Sequence, residues 1–194
     1  QDAEGTIPDL RIFVPYVDDP SQVQQVQQMA RKINREEFHA EIHYAIGATL
    51  ETPGGCRTAV DMIRDLNVKN FAIGTNDLFP LVDGSADRHK KGTSYNSTTS
   101  DGTKTPLLSR GIVRFLKCML HDIRSAAQKE RAEISIGLCG ELNQVKLHPH
   151  NLGQFLPLVD YIAAGRPNQI PSLKILAASA IAQTMADEYY NPFK

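Results

Sequence analysis

The sequence predicts an α/β protein in which a parallel β-sheet is covered by helices. Short, almost wholly apolar strands alternate with amphipathic helices along the 194 residues, and strands that are apolar on both faces are typical of parallel sheets. Polar residues able to do chemistry stand directly after three of these strands, which is where the active sites of (β/α)₈ barrels lie. A doubly wound sheet shows the same alternation, so both arrangements stay open, and the polar residues favour the barrel.

Five segments are predicted as strands: residues 10–14, 44–50, 70–74, 134–138 and 159–163. Each is a short apolar run rich in Val, Ile, Leu or Phe, and each is separated from the next by a stretch with helical periodicity or turn residues. No internal repeat and no interdomain linker is visible, so we expect a single domain over residues 1–194, built from about five βα units.

The first helix has a clear start signal. Asp19 can cap it, Pro20 suits its first turn, and Gln22 can complete a capping box. Helical spacing predicts that its inward face consists of Val23, Val26, Met29, Ala30 and Ile33. Further helices are predicted after Thr52, from about residue 107, and over residues 170–185. The Gly-, Ser- and Thr-rich residues 83–105 are predicted to form a mobile surface loop.

Charge and cysteine content exclude several classes of protein. The formal net charge is −1. The chain therefore lacks the excess of positive charge that would indicate nucleic acid or an anionic membrane as a partner. No apolar run is long enough to span a bilayer, and no secretory leader is apparent. The three cysteines are widely separated, which favours a reducing cytoplasm over a disulfide framework. Cys56 and Cys118 are predicted to be structural, with Cys118 buried in the core, and the sequon at Asn96 is a weak counter-signal.

Two acids end successive strands. Glu51 follows the second strand and Asp77 follows the third. Parallel strands lie about 5 Å apart, so the two carboxylates can converge, and such a pair with open positions suits Mg²⁺. The structural alternative is that each acid caps the helix that follows it.

Cys139 ends a further strand, before Gly140 and Glu141. A thiol there could be a nucleophile or a proton donor. The alternative is a small buried residue at a strand end. His148 and His150 are predicted to lie in a loop without binding metal.

Three ordered motifs carry a family resemblance: residues 46–53 (IGATLETP), 71–78 (FAIGTNDL) and 136–142 (IGLCGEL). Together they resemble the C-terminal barrel of the phosphoenolpyruvate (PEP)-utilising enzymes, which include enzyme I of the sugar phosphotransferase system, pyruvate phosphate dikinase and PEP synthase. The resemblance implies a (β/α)₈ fold of which this chain is the C-terminal part. It spans nearly the whole chain.

The resemblance also implies roles for individual residues. Glu51 and Asp77 would bind Mg²⁺, and Asn76 would hydrogen-bond the phosphoryl group or the enolate. Cys139 would protonate the methylene carbon of the enolate, and Gly140 would let substrate approach the backbone. Arg88, in the loop after the Asn-Asp strand, resembles a phosphate clamp, although a solvated basic loop explains it equally well.

The implied activity is phosphoryl transfer between PEP and a protein histidine, through a magnesium-bound pyruvate enolate. Its partners would be PEP or pyruvate, a phosphohistidine-carrying domain and a second copy of the chain in a homodimer. The barrel of the family has eight strands, and the first three, which carry substrate-binding arginines, are missing from the pattern here. We therefore expect the 194 residues alone to be inactive. A truncated barrel serving as an interaction or dimerisation module, and a magnesium-dependent pyruvate aldolase or lyase, remain alternatives.

Overall fold

The computed structural model describes residues 10–37, 44–83, 97–98, 104–105, 110–140, 156–164 and 178. Its strands are β1 (Leu10–Val14), β2 (Tyr44–Leu50), β3 (Asn70–Gly74), β4 (Ser97–Thr98), β5 (Lys104–Thr105), β6 (Ser135–Gly140) and β7 (Tyr161–Ala164). Its helices are α1 (Pro20–Glu37), α2 (Pro53–Leu66), α3 (Thr75–Asp83) and α4 (Arg110–Lys129), with a 3₁₀ turn at Leu156–Leu158.

The order of the strands distinguishes between the two arrangements that the sequence left open. Five strands form one parallel sheet in the order β1-β2-β3-β6-β7, and β4 and β5 form a separate antiparallel pair. Each new strand of the large sheet is added on the same side, so the order never reverses. A doubly wound sheet reverses at its switch point, whereas a (β/α)₈ barrel adds strands in one direction. The predicted α/β class is confirmed, and the topology is that of barrel βα units.

The hydrophobic core lies between one face of the sheet and the helices. Alternate residues of the central strands, among them Leu50, Phe71, Ile73 and Leu138, have no measurable exposure. They pack in one cluster with apolar residues of α2 and α4. Because side chains alternate across a strand, the intervening residues face the other side of the sheet, which the described helices do not cover.

The predicted start of α1 is confirmed, and the prediction of its inward face is partly wrong. Ser21 N–H donates to Asp19 Oδ1 at 2.8 Å, and Gln22 Oε1 accepts from the N–H of Asp19 at 2.9 Å. Val23 is fully buried, but Met29 is 62% and Ile33 44% exposed. Val26 and Ala30 pack partly buried against the core, so the face of α1 that meets the core is narrower than the predicted one.

The prediction that Cys118 is buried is wrong. The buried face of α4 consists of Ile112, Val113, Leu116, Met119, Leu120, Ile123, Ala126 and Ala127, and Cys118 is exposed. Two residues rotate an α-helix by about 200°, so Cys118 lies opposite Leu116 although apolar neighbours flank it in sequence. Cys56, predicted to be structural, is buried in α2.

Arg124 of α4 ties together the amino-terminal ends of β6 and β7. Its guanidinium donates to the carbonyl of Leu158 at 3.1 Å, to that of Ile134 at 3.4 Å and to Asp160 Oδ2 at 2.8 Å. Asp160 Oδ2 also accepts from the N–H of Ile136 at 2.6 Å. This cluster holds β7 beside β6. It thereby also helps to position the residues that β7 contributes to the carboxyl end of the sheet.

Two predictions fall mainly outside the described residues: the helix over 170–185, and the loop over 83–105 apart from β4 and β5. In the described ranges, none of the helices combines the length and the apolar character that crossing a membrane requires.

Candidate functional site

A cavity of about 510 Å³ lies at the carboxyl ends of the parallel strands. All five strands of the large sheet, or the residues that directly follow them, contribute to its lining: Phe13, Thr49, Glu51, Ala72, Gly74, Asn76, Asp77, Cys139, Gly140, Tyr161 and Ala163. Five of the six residues predicted from the sequence are therefore brought together. The sixth, Arg88, lies outside the described residues, as do Glu141, His148 and His150.

A second cavity, of about 570 Å³, lies at the opposite end of the sheet and contains none of the predicted residues. It lies among Gln27, Arg31, Asn34, Tyr44, Ala45, Ile46, Leu66, Asn67, Lys69 and Asn70. In barrel enzymes the amino end of the strands serves stability and the carboxyl end serves chemistry. The candidate site is therefore the smaller cavity.

Glu51 is held by its surroundings rather than by the helix that follows it. Its Oε2 accepts a hydrogen bond from the N–H of Tyr16 at 2.8 Å, and Tyr16 adopts a left-handed backbone with φ 52°. On the other side the Glu51 side chain lies against Gly74, at the end of β3. The carboxylate thus spans from the turn after β1 to the end of β3.

Thr52, not Glu51, caps α2. Its Oγ1 accepts from the N–H of Gly55 at 2.9 Å and lies 2.8 Å from Asp18 Oδ1, to which it donates. The capping alternative for Glu51 is therefore wrong. Close packing explains why glycines follow Thr52. A Cβ on Gly54 would clash with Asp18, and a Cβ on Gly55 would clash with the carbonyl of Val17.

Asn76 and Asp77 lie in the first turn of α3, which begins at Thr75. Asp77 is therefore inside the helix rather than at its cap. In this first turn the partial positive charge of the helix start favours a carboxylate. The Thr75 hydroxyl donates to the carbonyl of Cys139 at 2.9 Å and ties the start of α3 to β6. Asp77 reaches the cavity from this turn, on the same side of the sheet as Glu51.

Cys139 stands between β3 and β7, with Gly74 as its partner on one side and Ala163 on the other. Small neighbours leave its thiol half-buried at the cavity wall. Burial, and then the negative charge of Glu51, raise the pKa of this thiol above its ordinary value. The protonated S–H is therefore the form present at neutral pH, and Cys139 points away from the packed core.

Gly140 has a backbone that other residues rarely adopt. Its φ is +126°, and a Cβ there would clash with the Thr75 hydroxyl and would lie 2.9 Å from Asn76 Oδ1. The glycine in this motif is thus required by local geometry, independently of any ligand.

The sequence did not single out Phe13, Thr49 or Tyr161, which also line the cavity. All three face the uncovered side of the sheet, and Tyr161 lies across Gly137 of β6. Burial and the neighbouring Cys139 raise the pKa of Tyr161, and the cation of Arg11 partly opposes this. Strand register places these residues on the same face of the sheet as Cys139 and Glu51. Register is not visible in the sequence before the strands are paired, so no local pattern could have identified them.

Glu51, Asp77 and Asn76 bring side-chain oxygens to the cavity, beside the thiol of Cys139. No group of three or more His, Cys, Asp or Glu side chains suited to a metal occurs within the part of the chain that the structure describes. Glu51 and Asp77, with the amide of Asn76 beside them, instead leave coordination positions open. That arrangement fits a hard ion such as Mg²⁺, which keeps waters and takes oxygens from a substrate.

Comparison with solved structures finds similar chains at low sequence identity. The citrate lyase β subunit of M. tuberculosis, complexed with oxaloacetate and magnesium, is 15% identical, with a TM-score of 0.46, and the match covers 88% of this chain and 60% of that one. Protein CitE of M. tuberculosis, in complex with magnesium and acetate, is also 15% identical, with a TM-score of 0.44, covering 91% of this chain and 63% of that one. The chain thus spans less than two thirds of either.

None of the curated proteins matches this sequence. A family model does match: that of the PEP-utilising enzymes, PEP-binding domain, over residues 3–177. This match covers most of the chain and includes every strand of the sheet and every residue of the cavity, as the three ordered motifs led us to expect. The chain therefore belongs to the PEP-binding domain family of the PEP-utilising enzymes.

Proposed function

We propose that this chain forms the PEP- and pyruvate-binding part of a phosphotransferase that moves a phosphoryl group between PEP and a protein histidine. The observation that carries the proposal is the convergence of Glu51, Asp77 and Cys139 on one cavity at the carboxyl end of the sheet. Membership of the PEP-binding domain family supports the substrate class. Magnesium is the proposed cofactor, because the oxygen donors at the cavity fit it.

Each residue has a proposed role. Glu51 and Asp77 would hold Mg²⁺, which stabilises negative charge on the enolate oxygen and the phosphoryl group. Asn76 would donate a hydrogen bond to one of those oxygens, and Gly140 would leave room for substrate at the end of β6. Arg88, which follows α3 in the sequence, would bind the phosphoryl group.

Cys139 would act after the phosphoryl group has left. Breaking the P–O bond of PEP as the histidine N–P bond forms leaves the enolate of pyruvate. The Cys139 S–H then gives its proton to the methylene carbon, which becomes the methyl group of pyruvate, and the thiolate remains. Removal of a methyl proton by that thiolate is the reverse step. The position of Cys139 supports this role, because its half-buried thiol lies at the wall of the cavity that the enolate would occupy.

Incubation of the full-length protein with ³²P-labelled PEP and Mg²⁺ tests the proposal. We expect acid-labile phosphate on histidine together with release of pyruvate, and loss of both in Glu51→Gln and Asp77→Asn. Asp122→Asn, an exposed acid on α4, is the matched control and should behave as wild type.

The same assay distinguishes the alternatives. Cleavage of a 2-oxo-acid substrate such as oxaloacetate, without phosphate transfer from PEP, would indicate a lyase and would overturn the proposal. Absence of both reactions, with intact self-association, would indicate an interaction module. The proposal includes a homodimer, so sedimentation that shows only monomers at high protein concentration would contradict that part.

A further inference from the structure

Two polar side chains of the candidate site lie across the glycine that ends the next strand. Glu51 follows β2 and lies over Gly74, the last residue of β3. Asn76 follows β3 and lies over Gly140, the last residue of β6. In both cases the side chain crosses a strand that has no side chain of its own at that position.

The contact at Gly74 is the more informative of the two. A Cβ built on Gly74 would clash with Cγ of Glu51 and would lie 2.5 Å from Oε1 and 2.8 Å from Cδ, and the three nearest atoms all belong to Glu51. No unusual φ explains the glycine, in contrast to Gly140. On β6 the register partner of Gly74 is Cys139, so this contact lies directly beside the proposed proton donor.

These contacts fix the orientation of the Glu51 carboxylate. Oε2 is occupied by the N–H of Tyr16 on the side of β1, and Oε1 lies over Gly74 on the side of β6. A side chain at position 74 would push the carboxylate out of this orientation, and since Glu51 is flexible, it would yield before the backbone does.

We infer that Gly74 is a positioning residue of the site, whose missing side chain lets Glu51 reach across β3 and present Oε1 to the cavity. The inference rests on the proposed role of Glu51 in holding the cation. It assigns to Gly74 a function in setting the geometry of that ligand, beyond its place in a buried strand.

The test is Gly74→Ala in the full-length protein, with two readouts. Binding of Mg²⁺, measured by calorimetry, should weaken at least 10-fold. The amide signal of Tyr16, followed by ¹⁵N-tyrosine labelling and assigned with Tyr16→Phe, should shift because its hydrogen bond to Glu51 is lost. Gly111→Ala is the control: it adds a methyl on the exposed face of α4, at a residue that does not line the cavity, so the Tyr16 amide and the affinity for Mg²⁺ should stay at their wild-type values.

A second substitution separates positioning from a general loss of structure. In the wild-type background Gly74→Ala should lower the urea midpoint, because the added methyl meets Glu51. In a Glu51→Ala background that obstacle is gone, so Gly74→Ala should change neither the midpoint nor the Tyr16 amide. An equal fall of the midpoint in both backgrounds would overturn the inference, as would wild-type Mg²⁺ affinity and an unmoved Tyr16 amide in Gly74→Ala. If the wild type itself does not bind Mg²⁺, the proposed function is wrong. The shift of the Tyr16 amide signal in Gly74→Ala would then still show whether Gly74 positions Glu51.

Discussion

Loss of the Thr52 hydroxyl should destabilise the protein by about 2 kcal/mol. Thr52 is 6% exposed, so water cannot replace its partners in Thr52→Val. The N–H of Gly55 loses the acceptor that caps α2, which costs about 1 kcal/mol. The hydrogen bond from Thr52 to Asp18 contributes about 1 kcal/mol more.

The assay is urea unfolding followed by circular dichroism. With a denaturant slope of about 2 kcal/mol per molar, the midpoint should fall by about 1 M. Thr58→Val is the matched control in the same helix: its hydroxyl donates only to the carbonyls of Gly54 and Gly55, at 3.2 and 3.3 Å, and we expect a loss of about 0.5 kcal/mol or less. Thr52→Ser should keep most of the stability. Equal midpoint shifts for Thr52→Val and Thr58→Val would refute the reasoning.

Three further predictions concern stability and reactivity. Arg124→Met should cost about 2 kcal/mol in urea unfolding, because two good hydrogen bonds and one long one are lost at a half-exposed site. Iodoacetamide should modify exposed Cys118 first, half-buried Cys139 more slowly and Cys56 last, since burial raises the pKa of Cys56 to about 12. Hydrogen bonds from Ser21 lower the pKa of Asp19 below 3.8, so its contribution to stability is present above that pH and should disappear as the pH falls through the lowered value.

Each of these has a result that would contradict it. An unchanged urea midpoint in Arg124→Met would show that the cluster at the amino ends of β6 and β7 is not stabilising. Modification of Cys56 before Cys118, mapped by mass spectrometry, would contradict the burial of the two thiols. A difference in midpoint between wild type and Asp19→Asn that stays constant from pH 7 to pH 2 would show that Asp19 does not titrate as described.

The sequence predicted the parts of the fold that depend on local signals. The five strands and the capping box at Asp19 come from apolar runs and turn chemistry, which are readable along the chain. Met29, Ile33 and Cys118 were predicted to be buried and are exposed. Their exposure depends on which helix face meets the sheet and on where the sheet ends, and neither is a local property.

The candidate site was predictable only in part for the same reason. Glu51, Asp77 and Cys139 stand at strand ends, so parallel topology alone brings them to one edge. Tyr161 and Thr49 enter the site through strand register, which no local pattern reveals. The cap of α2 by Thr52 rather than Glu51 was predictable, because Thr directly before Pro53 is a local signal for a helix start.

Hydrogen isotope exchange at the methyl group of pyruvate tests the central claim most directly. The exchange is measured in deuterated buffer with Mg²⁺ and the full-length protein, by the loss of the methyl proton signal. A proton donor at the cavity predicts that Cys139→Ala lowers the rate at least 100-fold, within the range expected for general acid–base catalysis, while Cys118→Ala on the exposed face of α4 keeps it. A Cys139→Ala rate within twofold of wild type would contradict the account.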